Sequence, residues 1–274
     1  ETDTYTSLIS KVFASYQNKS DPLRVWFMKL VTKQEHIKPL HAEVFRVAES
    51  QQKVATNTLV DTLEEQQMLE EMLDRVKPRI PQDCEQYDYL IYTPFRYPPL
   101  KHGSRFGKKI HPSIFYGSKN IEAAFAELAY YRFVYYDGMM NTPKKKQKVT
   151  QHASFSVDLR AKKGIALNES PFNKHKNKIS DPTSYDVSQK IGEEMRDKGI
   201  EAFSYDSARA VDEVNIGIFT CKAIKSLVPD ALNHWSCITR DKSVTIRCLD
   251  DRWSNLSFEL DQFLVAGVLP SPAV

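Results

Sequence analysis

Glycine is scarce in this chain, with 9 among 274 residues, and the glycine-rich motifs that cradle phosphates are missing. Neither G-x-x-x-x-G-K-[ST] nor G-x-G-x-x-G occurs, which argues against a P-loop protein and a Rossmann dinucleotide fold. No apolar run approaches the ~18 residues of a membrane-spanning helix, and no charged-then-apolar signal is visible near the N-terminal end. We therefore expect no membrane association.

Cysteine is also rare, and no C-x-x-C pair occurs among the four cysteines, Cys84, Cys221, Cys237 and Cys248. Three of them lie in strand-like stretches, which predicts buried free thiols and hence a reducing, cytoplasmic location. A metal site is not expected either. His36 and His41 are five residues apart, which would put them on different faces of a helix, and the other histidines are scattered.

Charge of one sign is not in large excess. The net charge is +3 with a pI near 8.5, and Lys and Arg are spread along the chain. This balance argues against direct nucleic-acid binding. The hydrophobic share of 41% and the length are typical of a globular protein of one or two domains with a full core.

The chain changes character near residue 80. Residues 3 to 78 show helical runs such as "SDPLRVWFMKLV" and "TNTLVDTLEEQQMLEEMLDRVKP", whereas later residues form short β-like runs such as "YDYLIYTPFRY", "SIFYG" and "HASFSVDL". We predict a helical N-terminal domain over 1–80, a linker near "PRIPQDCEQ", and a second domain over 84–274. Strands outnumber helices there without alternating regularly, so the predicted class is α+β with a mixed sheet and few helices.

One carboxylate does not fit its surroundings. Residues 121–136, "IEAAFAELAYYRFVYY", form a long apolar pattern without Gly or Pro, typical of a helix buried on most sides. Glu127 lies within it, one turn from Ala123 and Tyr130. A buried carboxylate is costly unless it is paired, protonated or facing a cleft. A structural salt bridge and a functional role are both compatible with this pattern.

Two arginines and a serine accompany this acid. Arg96 and Arg105 flank the turn in "FRYPPLKHGSRFG" and suit a diphosphate, because the guanidinium fork binds anions in a fixed plane; each is alternatively a surface arginine. Ser207 in "YDSAR" follows a short strand, where a serine also commonly caps a turn. No G-x-S-x-G surrounds Ser207, so a hydrolase nucleophile elbow is not indicated.

Taken in order, Arg96 in "FRYPP", Glu127 in "FAELAYYR" and Ser207 in "YDSAR" resemble the Arg, Glu and Ser motifs of the RES domain family. "SRFG" with Arg105 and "SIFYGS" with Tyr116 also resemble family blocks, as does "VNIGIF" after the serine. The resemblance runs from about residue 84 to at least residue 224. It implies a compact ADP-ribosyltransferase-like core, and residues 1–78, predicted above to be helical, lie outside it.

The resemblance also implies a function. Many RES members are bacterial toxins paired with Xre-type antitoxins, and they consume NAD⁺ as substrate, with no other cofactor, by hydrolysis or phosphorolysis. By this analogy Glu127, Arg96 and Ser207 are catalytic, and phosphate is a possible co-substrate. The residues assigned by analogy to substrate binding are Arg105, Tyr97, Tyr116 and Arg209.

Two alternatives remain open. A protein ADP-ribosyltransferase needs the same NAD⁺ cleft and an acceptor surface, so the sequence does not separate it from an NAD⁺-degrading enzyme. A non-catalytic NAD⁺-binding module is suggested by Asp206. The family usually carries a proline at this position before the serine, and an aspartate adds negative charge near any phosphate.

Overall fold

The computed structural model describes residues 33–50, 60–99, 101–139, 147–250 and 255–271. These ranges contain eight strands, β1 Lys38–Glu49, β2 Phe115–Ser118, β3 Lys148–Ala166, β4 Ala202–Asp206, β5 Val214–Ile218, β6 Asp230–Thr239, β7 Ser243–Cys248 and β8 Leu256–Glu259. They contain five α-helices, α1 Leu63–Val76, α2 Tyr89–Arg96, α3 Ile121–Asp137, α4 Lys176–Ile179 and α5 Asp186–Asp197.

The eight strands form one mixed sheet in the order β1-β2-β5-β4-β3-β6-β7-β8. The pairing of β3 with β4 is parallel and the others are antiparallel. Strand β1 pairs with β3 as well as with β2, so β1, β2, β5, β4 and β3 close into a ring. A mixed sheet with helices packed outside it confirms the predicted α+β class.

The predicted division at residue 80 is wrong for residues 38–49. This stretch is strand β1, which pairs with β3 from Lys38 opposite Gly164 to Glu49 opposite His152. The physical signal is the run "HAEVFRVA", in which Val44 is fully buried and β-branched residues favour a strand. The domain predicted to be all-helical over 1–80 therefore includes a strand of the main sheet. The helices predicted within residues 1–32 and 51–59 lie outside the described residues.

Helix α1 is present as predicted, but its apolar stripe is not packed. Thr62 caps its N-terminus by accepting from the backbone N–H of Glu65. None of its residues is buried, and Met72 and Val76 are 58% and 79% exposed. Leu69, Met72, Leu73 and Val76, which recur at helical spacing, therefore do not form a buried stripe.

The run "YDYLIYTPFRY", predicted to be β-like, is helix α2. Asp88 caps this helix by accepting from the backbone N–H of Leu90, and Pro94 lies inside it. Ile91 is fully buried in the core, with Leu90 and Phe95 packed against the same cluster. The tertiary contacts of this face outweigh the β preference of the aromatic residues.

Two of the four cysteines are paired, contrary to the prediction of four free thiols. Cys84 and Cys221 form a disulfide with a Cα–Cα distance of 5.8 Å, whereas Cys237 and Cys248 are free and buried as expected. The bonded residues are 137 positions apart, a separation at which sequence spacing gives no pairing signal. The cysteines therefore no longer indicate a reducing compartment.

Two packing features position the site described below. Helix α3 is fixed by aromatic contacts, including Phe125 edge-on to Trp235 at 4.5 Å between ring centroids. Helix α5 packs closely against the segment that carries Arg105. The contact requires glycine at position 192, because a Cβ there would lie 1.9 Å from the carbonyl oxygen of Phe106. Within the described ranges, no helix has the length and apolar character needed to cross a membrane.

Candidate active site

Glu127 of α3 is held by two side chains from the sheet region. Its Oε1 accepts a hydrogen bond from Asn215 Nδ2 of β5 at 2.8 Å and from Ser207 Oγ at 3.2 Å. Asn215 is itself fixed, because its Oδ1 accepts from Ser118 Oγ of β2 at 2.7 Å. The carboxylate is thus oriented by a buried polar chain that links α3 to two neighbouring strands.

Ser207 forms the turn after β4. Its Oγ donates to Glu127 and accepts from the backbone N–H groups of Arg209 and Ala210, each at 3.1 Å. Its own N–H donates to Glu213 O at 2.8 Å. With its proton directed at the carboxylate and its oxygen already engaged, this hydroxyl is built to position Glu127.

The salt-bridge alternative for Glu127 is not what the structure shows. No Lys, Arg or His nitrogen within the described ranges lies within 4.0 Å of its carboxylate. The carboxylate instead faces a cavity of about 310 Å³. The side chains that line this catalytic cavity include Arg46, Ser104, Arg105, Tyr116, Ser118, Glu127, Tyr131, Tyr185, Tyr205 and Asn215.

Tyr116 and Tyr205 of the catalytic cavity remain protonated at neutral pH. Burial raises the pKa of Tyr116 to about 12. Burial and the negative charge of Glu127 raise the pKa of Tyr205 well above its ordinary value. A neutral phenol is favoured because the charged form would lose its hydration and meet a carboxylate. These hydroxyls therefore add no negative charge to the cavity, and that of Tyr116 is engaged by Ser104 Oγ at 2.9 Å and by the backbone N–H of Phe106 at 3.0 Å.

Two arginines line the catalytic cavity, and the sequence identified one of them. Arg105 is only 8% exposed, lies 4.7 Å from the ring centre of Tyr185, and donates to Asp181 O at 2.6 Å. Arg46 of β1 was missed, because it falls in the stretch predicted to be helical. Its signal was an arginine inside the apolar strand run "VFRVA".

Arg46 is fixed on the cavity wall. Its Nη1 donates to Tyr116 O at 2.5 Å, and its guanidinium lies 4.8 Å from the ring centre of Phe115. Burial lowers the pKa of Arg46 to about 10, so the group remains a cation at neutral pH. A rigid guanidinium beside an open volume is suited to an anionic ligand.

The other two arginines singled out from the sequence contact protein groups. Arg96 Nε donates to Pro78 O at 2.7 Å, and its Nη2 lies 3.8 Å from Asp74 of α1. Arg209 stacks 3.5 Å from the ring centre of Tyr130 and donates to Pro182 O. Neither lines the catalytic cavity. The structure therefore brings Glu127 and Ser207 together as predicted, but does not bring Arg96 to them.

A second cavity of about 410 Å³ adjoins the first. The two share four lining residues, Arg46, Ser104, Tyr116 and Tyr131. Tyr97, expected from the sequence to contact substrate, lines the second cavity, whereas Tyr116 lines both. Tyr131, Tyr185 and Asn215 had no distinguishing sequence signal, because each lies in a context that equally suits a core residue.

Metal binding has no support in the part of the chain that the structure describes. There, no three His, Cys, Asp or Glu side chains are grouped in a way that would hold a metal ion. The arrangement at the catalytic cavity is instead one carboxylate, two guanidiniums and several neutral hydroxyls. Such a set stabilises developing positive charge at one point and binds an anion at another.

One comparison with known proteins agrees with the motif analysis. A family model described as RES domain matches residues 78–240, which is more than half of the chain. No curated protein matches the sequence. A solved structure similar to this one is the M. tuberculosis MbcT–MbcA toxin–antitoxin complex, at 8% sequence identity and a TM-score of 0.44, covering 80% of this chain and 92% of that chain.

Proposed function

Because the chain belongs to the RES domain family, we propose that it is a toxin-type enzyme that degrades NAD⁺ by cleaving the nicotinamide–ribose bond. The observation that carries the proposal is Glu127, a carboxylate with no cationic partner among the described residues that faces a cavity. Only its Oε1 accepts hydrogen bonds from these residues, from Asn215 and Ser207. Its Oε2 is therefore left for substrate.

The reaction needs such a group. When the bond between ribose C1′ and the nicotinamide nitrogen breaks, the electron pair leaves with nicotinamide and positive charge builds on the ribose, as in glycoside cleavage. A fixed carboxylate stabilises that charge in a partly enclosed site. An oxygen of water or of phosphate then bonds to C1′. For water, the released proton passes to Glu127 or to solvent.

The arginines supply the second requirement. Arg46 and Arg105 both line the catalytic cavity, and two guanidinium groups match the two negative charges of the NAD⁺ diphosphate. Neutral tyrosine hydroxyls supply hydrogen bonds for the ribose hydroxyls or the nicotinamide amide. We assign the catalytic role to Glu127 and positioning roles to Ser207 and Asn215.

The aspartate before the serine does not count against catalysis. Asp206 Oδ1 lies 3.3 Å from Lys176 Nζ, so its charge is compensated locally. Asp206 also does not line the catalytic cavity. The negative charge that suggested a non-catalytic module is therefore compensated by Lys176 and lies outside the lining of the cavity proposed for the diphosphate.

The test is to incubate the purified protein with NAD⁺, with and without inorganic phosphate, and to identify the products by mass. Nicotinamide with ADP-ribose indicates hydrolysis, and nicotinamide with phosphorylated ADP-ribose indicates phosphorolysis. A mass increase of an added protein by one ADP-ribose group indicates the transferase. Binding of NAD⁺ without release of nicotinamide under any of these conditions would overturn the proposal in favour of a binding module.

The partner and location follow from the same family assignment. We propose that an antitoxin protein of Xre type inhibits this enzyme and that it acts in the bacterial cytoplasm. The Cys84–Cys221 disulfide counts against the cytoplasm, because reducing compartments rarely maintain such bonds. To test the location, thiols are alkylated in intact cells before lysis, and mass analysis shows whether Cys84 and Cys221 are alkylated or bonded to each other. Alkylated cysteines support the cytoplasm, and a bonded pair counts against it.

A further inference from the structure

We propose that the second cavity binds the adenine ring of the same NAD⁺ molecule whose nicotinamide–ribose half lies at Glu127. This inference rests on the proposed function and extends it. In this arrangement the nicotinamide–ribose bond is cleaved in the catalytic cavity, and the adenosine half is bound in the second cavity. The lining of the second cavity and its position relative to Arg46 support this assignment.

The position of Arg46 supports a ligand that crosses both cavities. Arg46 lines both volumes and is held on their common wall by its hydrogen bond to Tyr116 O. Arg105, by contrast, lines only the catalytic cavity. In a dinucleotide the diphosphate lies between the two nucleosides. An anion bound at Arg46 therefore places one nucleoside in each cavity.

The chemistry of the second cavity suits a flat, uncharged ring. Its walls include Tyr89 and Tyr97 together with the prolines at 94, 98 and 99. Aromatic and proline surfaces of this kind stack on planar heterocycles, and nucleobases stack well on tyrosine. A volume of about 410 Å³ falls within the usual range for small-molecule sites.

The polar groups of the second cavity favour a base with a donor over a further phosphate. Arg46 is the only Lys or Arg among its lining residues, and Glu49 also lines it. A carboxylate repels a phosphate but accepts a hydrogen bond from an exocyclic amine such as that of adenine. The cation at one end and the carboxylate and tyrosines elsewhere match a nucleotide entering with its phosphate toward Arg46.

The experiment compares NAD⁺ with nicotinamide mononucleotide, which has the cleavable bond but no adenosine half. Tyr97→Ala should lower kcat/KM for NAD⁺ about 5- to 150-fold, the range typical of losing one base-stacking aromatic. The same variant should leave kcat/KM for the mononucleotide unchanged. Tyr135→Ala is the matched control, because Tyr135 is 57% exposed and lines neither cavity.

The outcomes separate this inference from the proposed function. If the wild type cleaves both compounds with equal kcat/KM, or if Tyr97→Ala affects both equally, the adenine site is wrong while NAD⁺ cleavage stands. If neither compound is cleaved, the proposed function fails, and calorimetry with AMP decides the inference. AMP binding that Tyr97→Ala abolishes supports it. Absence of AMP binding, or binding unchanged in Tyr97→Ala, overturns it.

Discussion

The two adjoining cavities are built in different ways. Around Glu127, the polar groups come from α3, β2, β5 and the turn after β4, and hydrogen bonds inside the fold link them. The second cavity is walled largely by α2 and the loop that follows it, where Tyr89 and Tyr97 are 46% and 38% exposed. The groups proposed for chemistry are thus held by residues of the sheet region, while those proposed for recognition lie on α2 and the loop after it.

The largest expected effect concerns the catalytic cavity. Glu127→Gln should keep the fold, because the amide oxygen can still accept from Asn215 and Ser207. Loss of the negative charge should lower kcat for NAD⁺ cleavage ~10²–10³-fold, as is typical when one group that stabilises the transition state is removed. Nicotinamide release measured at saturating NAD⁺ checks this.

The control for Glu127→Gln is Glu193→Gln, since Glu193 pairs with Lys108 and lines neither cavity. Glu193→Gln should cleave NAD⁺ at the wild-type rate. A wild-type rate in Glu127→Gln would instead show that the carboxylate is structural. The assignment of cleavage to the catalytic cavity would then be wrong.

The second prediction concerns the outer layer, which consists of α2 and the loop that follows it, and how this layer is attached to the sheet. Cys84 lies shortly before α2, and its bond to Cys221 ties this region to the turn after β5. Replacing both cysteines by serine should lower the free energy of unfolding by ~2–4 kcal/mol, because a long loop in the unfolded chain is no longer closed. Urea unfolding of the variant and the wild type measures the difference.

A matched control for the cysteine variant is the wild type unfolded with and without reductant. Reductant should lower the stability of the wild type and leave that of the double variant unchanged. If thiol titration of the denatured, unreduced wild type finds four free thiols, the pair is not bonded. The outer layer would then depend on packing alone.

The third prediction concerns the wall that the two cavities share. Arg46→Lys keeps a positive charge but loses the fork held against Tyr116 O. We expect KM for NAD⁺ to rise about tenfold, which corresponds to the loss of one charge-assisted hydrogen bond. Steady-state kinetics checks this, with Arg247→Lys as the control, because Arg247 is exposed on β7 and lines neither cavity. An unchanged KM in Arg46→Lys would remove Arg46 from the diphosphate site.

The sequence predicted the catalytic half better than the recognition half for physical reasons. Glu127 was visible because a carboxylate in an apolar helix is costly, and Ser207 because a motif follows a clear strand. Strands β2 and β3 were likewise predicted, from the β-like runs "SIFYG" and "HASFSVDL". Asn215 was not found, because nothing distinguishes a strand asparagine aimed at a carboxylate from one aimed elsewhere.

The errors share a different cause, which is long-range contact. Strand β1 is fixed by its pairing with β3, more than 100 residues away, and the disulfide joins residues 137 positions apart. Helix α2 forms against a β-like local sequence because Ile91 and its neighbours are buried in the core. Local periodicity contains none of this information, so Arg46 was missed, while Arg96 was placed at the site by its motif resemblance.

The smallest expected effect is that of Arg96→Lys. This variant tests whether Arg46, and not Arg96, contacts the diphosphate. The structure places Arg96 outside both cavities, with its Nε bonded to Pro78 O and its Nη2 near Asp74, which is 68% exposed. Lysine keeps the charge but not the Nε–H, so the free energy of unfolding should fall by only ~0.5–1.5 kcal/mol. KM for NAD⁺ should not change.

Kinetics of Arg96→Lys beside Arg46→Lys makes the comparison direct, because both variants replace a guanidinium by an ammonium group. A tenfold rise in KM for Arg96→Lys with no rise for Arg46→Lys would restore the motif-based assignment. It would also mean that α2 moves toward Glu127 when NAD⁺ binds, since Arg96 now contacts Pro78 and α1. The opposite result assigns anion binding to β1 and leaves Arg96 to hold α2 against the segment before it.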